Sequence, residues 1–468
     1  MSADFSFYWH DYETFGRNPR RDRPAQFAGV RTDADLNETG EPLLQYCAPA
    51  PDFLPDPEAC LLTGITPQTC LARGVPEHAF AAAIEDELAR PGTCGVGYNS
   101  IRFDDEVTRF MLWRNLADPY AREWQNGCSR WDLLDVVRAA WSLRPEGLRW
   151  PTHDDGRASF KLEHLTAANG LAHEAAHDAL SDVRATIAVA RAVKTAQPRL
   201  WDFCLKLRDK HAVWAEIGQG RPFVHLSGMY PVERGCLAVV WPLAPHPTNK
   251  NELIVWDLAE DPQALASLTL EEARLRLFTR AADLPEGVSR LPIKTIHVNK
   301  SPVVFGNLKA LGPAVQRWQL DVDQVLRHAE RAAALGGLMD GMWRELFQRP
   351  DDGVVRDVDE DLYGGFVGNA DRALLQRLRR LSPRELAERQ PAFDDPRLDE
   401  LFFRYRARNF PETLDEAGRE RWAQHCADRF GELIGPWQEK LDTLAETADD
   451  DGQALLGELM DYAESIAP

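Results

Sequence analysis

Residues 1–197 alternate short apolar runs with stretches in which apolar side chains recur at helical spacing. One helix is predicted from Asp104 towards Trp113, because Val107, Phe110 and Met111 follow helical spacing. A second helix is predicted over 177–194, and Pro198 follows it as a stop signal. Strands are predicted at residues 5–11, 25–32, 42–48 and 93–98. Strands interleaved with helices predict an α/β domain with a mixed sheet.

The pattern changes after residue 197. Short runs rich in Val, Ile and aromatic residues predict a small antiparallel barrel or sheet with helical insertions such as 270–281; the runs are 222–226, 237–242, 253–258 and 293–298. Residues 354–468 show helical spacing at 370–381, 396–406, 414–430 and 452–466. The acidic turn 350–353 is interpreted as a linker, so the predicted domains are 1–197, 198–350 and 354–468.

The composition is that of a soluble globular protein. The chain has 468 residues, of which 44% are hydrophobic and 27% charged. No apolar run approaches the roughly 20 residues that a membrane-spanning helix needs, and the first residues do not resemble a signal peptide. The eight cysteines form no Cys-x-x-Cys pair, which favours reduced, packed thiols over a zinc or disulfide framework. We expect a cytoplasmic protein that does not contact membranes, and a monomer.

The net charge of −20 does not favour nucleic-acid binding, because phosphate affinity normally requires an excess of Lys and Arg. Charge acts locally, however. An enzyme that releases a polyanion at every turnover can confine its basic groups to one groove, so the overall sum does not exclude such a substrate.

Four acidic residues and one histidine stand in distinctive local settings. Asp11 and Glu13 end an apolar strand, and the period of two places both carboxylates on one side of it. Asp104 opens a helix, and His177 lies five residues before Asp182. Carboxylates gathered together repel one another unless cations neutralise them, so these four would suit two Mg²⁺ ions, with His177 as the base. Taken singly, each residue also fits a solvated strand edge or a helix N-terminus.

The three segments together resemble the DEDDh exonucleases, a superfamily whose name lists four acidic residues and a histidine. Asp11-x-Glu13, Asn99-x-x-x-Phe103-Asp104 and His177-x-x-x-x-Asp182 match its motifs in order. Longer stretches resemble the bacterial exonuclease I family; they are 10–16, 22–27, 62–67, 102–109, 129–135 and 405–411. This resemblance implies a ribonuclease-H-like nuclease domain, an SH3-like barrel and a helical C-terminal domain. It also implies 3′ to 5′ degradation of single-stranded DNA to 5′ mononucleotides, two Mg²⁺ ions that Mn²⁺ can replace, and a role in DNA repair and recombination.

The resemblance also implies substrate and partner contacts. Lys161 stands where the family has a basic residue touching substrate, and Arg404, Arg406 and Arg408 either line a phosphate groove, which we favour, or form a solvated face. Predicted substrate-binding residues are Glu13, Asn99, Phe103, Lys161, Arg406 and Arg408. The family binds the acidic C-terminal tail of single-stranded DNA-binding protein, for which Arg144 and Phe203 are the candidates, although Phe203 replaces an expected tyrosine.

Aromatic residues have two interpretations as well. Phe103, Trp131, Phe160 and Tyr405 are candidates for stacking on bases, but aromatics among apolar neighbours more often belong to a core. Two other functions stay open at this point. One is a related nuclease acting on RNA ends or short oligonucleotides, and the other is a non-catalytic DNA-binding adaptor of the same fold.

Overall fold

The structure, a computed structural model, describes residues 5–173, 178–218, 220–336, 340–348 and 356–468. The chain divides into two compact units. The first comprises Met1–Ser129, His173–Ile187 and Val355–Pro468, and the second comprises Arg130–Ala172 and Ala188–Val354. The first unit therefore contains residues from both ends of the sequence.

Within the described residues, the strands of the first unit are β1 (Ser6–Thr14), β2 (Pro24–Thr32), β3 (Leu43–Ala48), β4 (Val75–Pro76) and β5 (Thr93–Gly97). They form a sheet in the order β4-β3-β2-β1-β5, in which β1 pairs antiparallel with β2 and parallel with β5. The sheet is thus mixed, as predicted. Its helices are α1 (Pro57–Thr63), α2 (Pro67–Arg73), α3 (Glu77–Leu88) and α4 (Asp104–Arg114).

Strand β1 is central to this sheet. Phe7 and Trp9 on one face and Tyr8 on the other are all buried, which is typical of a strand covered on both sides. The strand continues past the predicted end at Asp11, and its register with β2 shifts between Glu13 and Thr14. Such irregularities re-aim side chains at functional sites.

The C-terminal segment is helical, as predicted, and it packs on the rest of this unit. Trp437, Leu441 and Leu459 share a core with Phe53 and Cys60. A second core joins the helix α4 residues to residues after 360. The helices are α14 (Asn369–Leu378), α15 (Pro383–Ala387), α16 (Arg397–Asn409), α17 (Glu416–Ala445) and α18 (Asp450–Ile466), numbered after those of the second unit.

The second unit contains β6 (Ser129–Asp132), α5 (Leu133–Leu143), α6 (Leu162–Asn169), the end of α7 (Ala179–Ala196), α8 (Pro198–Lys206), α9 (Lys210–Ile217), β7 (Phe223–Leu226), β8 (Leu237–Pro245), β9 (Glu252–Asp257), α10 (Leu270–Phe278), β10 (Ile293–His297), β11 (Val303–Phe305), α11 (Ala314–Arg317), α12 (Val322–Ala334) and α13 (Asp340–Phe347). Strands β7 to β11 form an antiparallel sheet in the order β10-β9-β8-β7-β11. Its core includes Phe223, Val240, Val255 and Ile296. The predicted antiparallel sheet is confirmed.

The sequence interpretation omitted several helices, among them α1 and α2. Both helices begin with proline after a residue whose side chain caps the helix, Asp56 before α1 and Thr66 before α2. The predicted linker 350–353 lies outside the described residues. All eight cysteines are free, and all except Cys426 are buried, which agrees with packed thiols. Among the described residues, no helix combines the length and apolar character needed to cross a membrane.

Candidate metal centre

Three predicted acidic residues come together in the first unit. Asp11, Glu13 and Asp182 each offer a carboxylate oxygen, and these oxygens all lie within 4.8 Å of one another. Glu13 is buried, whereas Asp11 and Asp182 are half-buried. Three oxygen donors at this separation are suited to a hard divalent cation.

The local fold explains this convergence. Asp11 and Glu13 point to one side of β1 because side chains alternate along a strand, and they lie opposite Ala28 and Gln26 of β2. Asp182 lies in the first turn of α7. There its backbone N–H donates to the carbonyl of Asp178, 2.9 Å away. A strand end and a helix start thus supply the three carboxylates.

Asp104 lies beside this group at the start of α4 and is 4% exposed. Its Oδ1 accepts a hydrogen bond from the backbone N–H of Tyr12, 3.2 Å away, between the two acidic residues of β1. The Tyr12 hydroxyl in turn lies 2.9 Å from Oγ1 of Thr108 on α4. These contacts tie α4 to the acidic end of β1.

The electrostatics show an excess of negative charge. Burial, followed by the charges of Asp104, Glu13 and Asp182, raises the pKa of Asp11 well above its usual value. Burial, followed by Asp182, Asp104 and Asp178, raises the pKa of Glu13 to about 8. Because each shift comes from desolvation and like charges, a bound cation would relieve both. The residues therefore fit a metal ion.

A second histidine, which sequence reasoning missed, contacts this group. His173 Nε2 lies 2.5 Å from Asp182 Oδ1, and the imidazole is 7% exposed. The predicted base, His177, lies outside the described residues. His173 belongs to no helix or strand, so no periodic pattern places it near Asp182. The one sequence signal that could have found it was its residue type.

Two predicted substrate residues lie between β5 and α4. Asn99 is exposed, with a left-handed φ of 66° that asparagine tolerates better than most residues. Phe103 is half-buried and packs against the core of the first unit. Both residues lie shortly before Asp104 in the chain, and their contact with substrate stays a prediction.

The second unit contains one substrate candidate, Lys161, and both partner candidates, Arg144 and Phe203. Lys161 precedes α6, with 60% of its side chain exposed and Nζ 3.5 Å from Glu163 Oε1. Arg144 donates to the carbonyls of Leu143 and Ala310, at 2.6 and 3.1 Å. Phe203 stacks on Phe305, with ring centroids 4.6 Å apart. These roles also stay predictions.

Two arginines of α16 pair with carboxylates of the first unit. Arg408 is enclosed by two carboxylates, with Nη2 2.6 Å from Asp52 Oδ2 and 2.5 Å from Asp359 Oδ2, and its side chain is 5% exposed. Arg404 is also buried and pairs with Asp357 at 2.8 Å. The donors of Arg408 are directed at these internal acceptors, and a contact between Arg408 and phosphate stays a prediction.

Arg406 is half-buried and differs from its neighbours. Its Nε lies 3.2 Å from Oγ1 of Thr413, and its guanidinium lies over the Phe402 ring, 5.7 Å from the centroid. A contact between Arg406 and phosphate stays a prediction.

Two of the four aromatic candidates belong to the core. Trp131 is 1% exposed and packs edge-on against Trp201, and Tyr405 is 4% exposed. Phe160 is half-buried and lies edge-on to Trp141. Burial removes Trp131 and Tyr405 as platforms for bases.

Family models match nearly the whole chain. A model described as "Exonuclease" matches residues 8–190, one described as "Exonuclease I SH3-like domain" matches 208–349, and one described as "Exonuclease I C-terminal domain" matches 356–466. The first match places the acidic group in an exonuclease domain. The expected SH3-like and C-terminal domains are thereby confirmed as to type, while the exact domain limits stay predictions.

Individual relatives are similar to this chain over nearly its full length. The chain is 46% identical to exodeoxyribonuclease I of Escherichia coli K12, with 98% of each chain covered. Exonuclease I of Methylocaldum szegediense has a structure with a TM-score of 0.94 and 48% identity, covering 99% of this chain and 100% of that one. The zinc-bound complex of E. coli exonuclease I with single-stranded DNA has a TM-score of 0.94 and 44% identity, with 99% of each chain covered. The chain belongs to the exonuclease I family.

Proposed function

We propose that this protein is an exodeoxyribonuclease that degrades single-stranded DNA from the 3′ end to 5′ mononucleotides. The observation that carries the proposal is the convergence of Asp11, Glu13 and Asp182 within 4.8 Å, in a chain of the exonuclease I family. The relative crystallised with single-stranded DNA supports the choice of substrate. The function in the cell would be DNA repair and recombination, and the free thiols support a cytoplasmic location.

We further propose that Mg²⁺ is the cofactor, as two ions per site, with Mn²⁺ able to substitute. Carboxylate oxygens are the donors that Mg²⁺ prefers, and the zinc-bound relative supports a metal site of this kind. Asp11, Glu13 and Asp182 would hold the ions and Asp104 would complete the set. When bound, such ions lower the pKa of a water molecule and stabilise the charge of the departing 3′ oxygen.

The side chains of the chain itself would orient the substrate and move the proton. His177, by its spacing from Asp182, would accept the proton of the attacking water, since its ordinary pKa lies near neutral pH. Asn99, Phe103, Lys161 and Arg406 would contact the DNA strand. Lys161 keeps the charge of the basic residue expected at its position but lacks the two-pronged guanidinium.

The test is nucleotide release from 3′-labelled and 5′-labelled single strands, with duplex DNA and a single strand of RNA of the same sequence alongside. With Mg²⁺, the parent protein should shorten 5′-labelled DNA stepwise and release labelled mononucleotide at once from the 3′-labelled strand. EDTA should stop both reactions. Preference for the RNA strand would instead favour a nuclease of RNA ends, and DNA binding without release would favour an adaptor.

Replacing Asp182 provides the residue-level test. Asp182→Ala should lower the rate by several orders of magnitude while DNA affinity in EDTA stays largely intact, because a metal donor is lost but the DNA contacts remain. Asp442→Ala is the matched control, since Asp442 is an exposed carboxylate on α17. Equal activity of the parent and Asp182→Ala would refute the proposed site.

We also propose that the second unit binds the acidic, apolar-tipped tail of single-stranded DNA-binding protein through Arg144 and Phe203. The charge of Arg144 supports this, because its two observed acceptors are uncharged carbonyls. A fluorescent peptide of that tail should bind the parent protein and bind Arg144→Ala more weakly. Arg149→Ala, which removes an exposed arginine of the same unit, is the control.

A further inference from the structure

His173, a histidine outside the motif, contacts the acidic group from a position nine residues before Asp182. His173 Nε2 lies 2.5 Å from Asp182 Oδ1, a short contact between an imidazole nitrogen and a carboxylate oxygen. The His173 side chain is 7% exposed and that of Asp182 is 18% exposed. The contact is therefore largely shielded from water. A hydrogen bond in the protein interior is stronger than one at the surface.

The geometry assigns each partner a role. A carboxylate has two oxygens and about four acceptor sites, so Asp182 can accept from an imidazole N–H and still offer an oxygen towards Asp11 and Glu13. The backbone of Asp182 is fixed separately, by its N–H bond to Asp178 at 2.9 Å. What the helix leaves undetermined is the rotation of the carboxylate about its own side-chain bonds.

We propose that His173 is a positioning residue that sets the rotation of the Asp182 carboxylate and thereby strengthens cation binding by Asp11, Glu13 and Asp182. This inference rests on the proposed metal-dependent function. Hydrogen bonds from outer residues to metal-binding carboxylates typically contribute roughly 10- to 100-fold to metal affinity or activity. His173 acts through Asp182 and does not itself touch the reacting atoms.

The two histidines then have distinct tasks. His173 directs Nε2 at a carboxylate of the cluster, so this nitrogen donates to Asp182 and is not the acceptor for the proton of the attacking water. Loss of His177 should lower kcat and leave metal affinity unchanged, whereas loss of His173 should lower metal affinity first. This difference separates a positioning role from proton transfer.

The experiment measures Mn²⁺ affinity by electron paramagnetic resonance in the full-length parent, His173→Leu and His173→Gln. The glutamine amide can place a donor near the position of Nε2, and leucine has none. We expect His173→Leu to bind Mn²⁺ roughly 10- to 100-fold more weakly and His173→Gln to stay within a few-fold of the parent. At low Mn²⁺, kcat of His173→Leu should fall and recover with excess metal, while KM for the oligonucleotide stays constant.

His78→Leu is the matched control, because His78 is a half-buried imidazole of the same unit whose Nδ1 lies 3.1 Å from Asn409 Oδ1, outside the acidic group. Parent-like Mn²⁺ affinity in His173→Leu, or equal weakening in His173→Leu and His173→Gln, would overturn the inference. Should His173→Leu fail to fold, His173→Asn replaces it, since its shorter amide cannot reach Asp182.

Failure of the underlying function would look different. If neither the parent nor Asp11→Asn binds Mn²⁺, the proposed metal site and the role of His173 fall together. If the parent binds Mn²⁺, Asp11→Asn does not, and His173→Leu matches the parent, only the role of His173 is wrong.

Discussion

Replacing Arg408 by methionine should destabilise the first unit more than any surface change. Arg408 binds two carboxylates that are almost fully buried, and the side chains of Asp52 and Asp359 are 1% and 6% exposed. Burial alone would raise the pKa of Asp52, yet Arg408, His425 and Arg23 more than offset this and hold that pKa well below its usual range. Methionine keeps the volume of the side chain and removes the charge.

The magnitude follows from the partners that remain. Removing one member of a buried ion pair costs about 3 to 5 kcal/mol, because the other charge stays buried without compensation. Here Arg23 still lies 3.0 Å from Asp359, and His425 lies 3.4 Å from Asp52, so we expect the lower end of that range. For a unit of this size, about 3 kcal/mol corresponds to a fall in Tm of about 6 °C.

The assay is urea unfolding and calorimetry of the parent, Arg408→Met and Arg421→Met at pH 7. Arg421 is the control, since its pair with Glu400 lies at the surface with 57% of the arginine side chain exposed. Exposed pairs contribute about 0 to 1 kcal/mol. A loss in Arg408→Met no larger than that in Arg421→Met would refute the reasoning.

Acid gives an independent check with a defined sign. In the parent, the depressed pKa of Asp52 contributes stability that is present above the unfolded value near 3.9 and lost as the pH falls below it. In Arg408→Met the main charge that lowers this pKa is gone. The difference in stability between the two proteins should therefore hold above pH 4 and shrink as the pH falls below 4, and a difference that stays constant below pH 4 would contradict the assignment.

Three further predictions concern packing, acid stability and the metal site. Gly29→Ala should destabilise the protein by about 1 to 3 kcal/mol in urea unfolding, because a Cβ at Gly29 would lie 2.1 Å from the Tyr8 hydroxyl. Gly457→Ala is the control. Its Cβ would lie in open space on α18, and we expect it to stabilise the protein by about 0.4 to 1 kcal/mol. Burial lowers the pKa of His225 to about 3. Below the ordinary value near 6.5, the unfolded protein therefore binds more protons than the folded protein, and the free energy of unfolding decreases as the pH decreases. His225→Gln should flatten that slope, by up to about 1.4 kcal/mol per pH unit. Asp11→Asn should raise Tm in EDTA by relieving repulsion, yet lose the stabilisation that added Mn²⁺ gives the parent.

Each of these has a contrary result. Equal stability of Gly29→Ala and the parent would mean that Tyr8 moves aside without cost. An unchanged acid slope in His225→Gln would place the titrating groups elsewhere. A Mn²⁺-dependent rise in Tm of Asp11→Asn equal to that of the parent would show binding outside the acidic group.

The acidic group was predictable because its parts are local. The period of two along β1 places Asp11 and Glu13 together, and the helix start supplies Asp182, so two short segments define three donors. The end of β1 was predicted too early. A run that reaches two carboxylates resembles a strand end, but the pairing with β2 carries the strand through to Thr14.

Long-range contacts could not be predicted in this way. Arginines at every second position of 404–408 resemble a basic face, yet Arg408 meets Asp52, which lies 356 residues earlier in the chain. The predicted helix 414–430 stops before Gly435 and Pro436, but α17 runs through both residues to Ala445. Burial of Trp437 and Leu441 against the core of the first unit accounts for the continuation, because tertiary packing outweighs local propensity.

The buried charges of α16 connect the C-terminal helices to the fold around the acidic group. Arg23 follows the turn that joins β1 to β2, and its Nη2 lies 3.0 Å from Asp359, which Arg408 also contacts. The turn after Glu13 is therefore attached, through one carboxylate, to a helix near the end of the sequence. A buried carboxylate held by two arginines is costly to displace, so the strand end that carries Asp11 and Glu13 is fixed from both ends of the chain. This arrangement suits carboxylates that repel one another and need a rigid support to stay together.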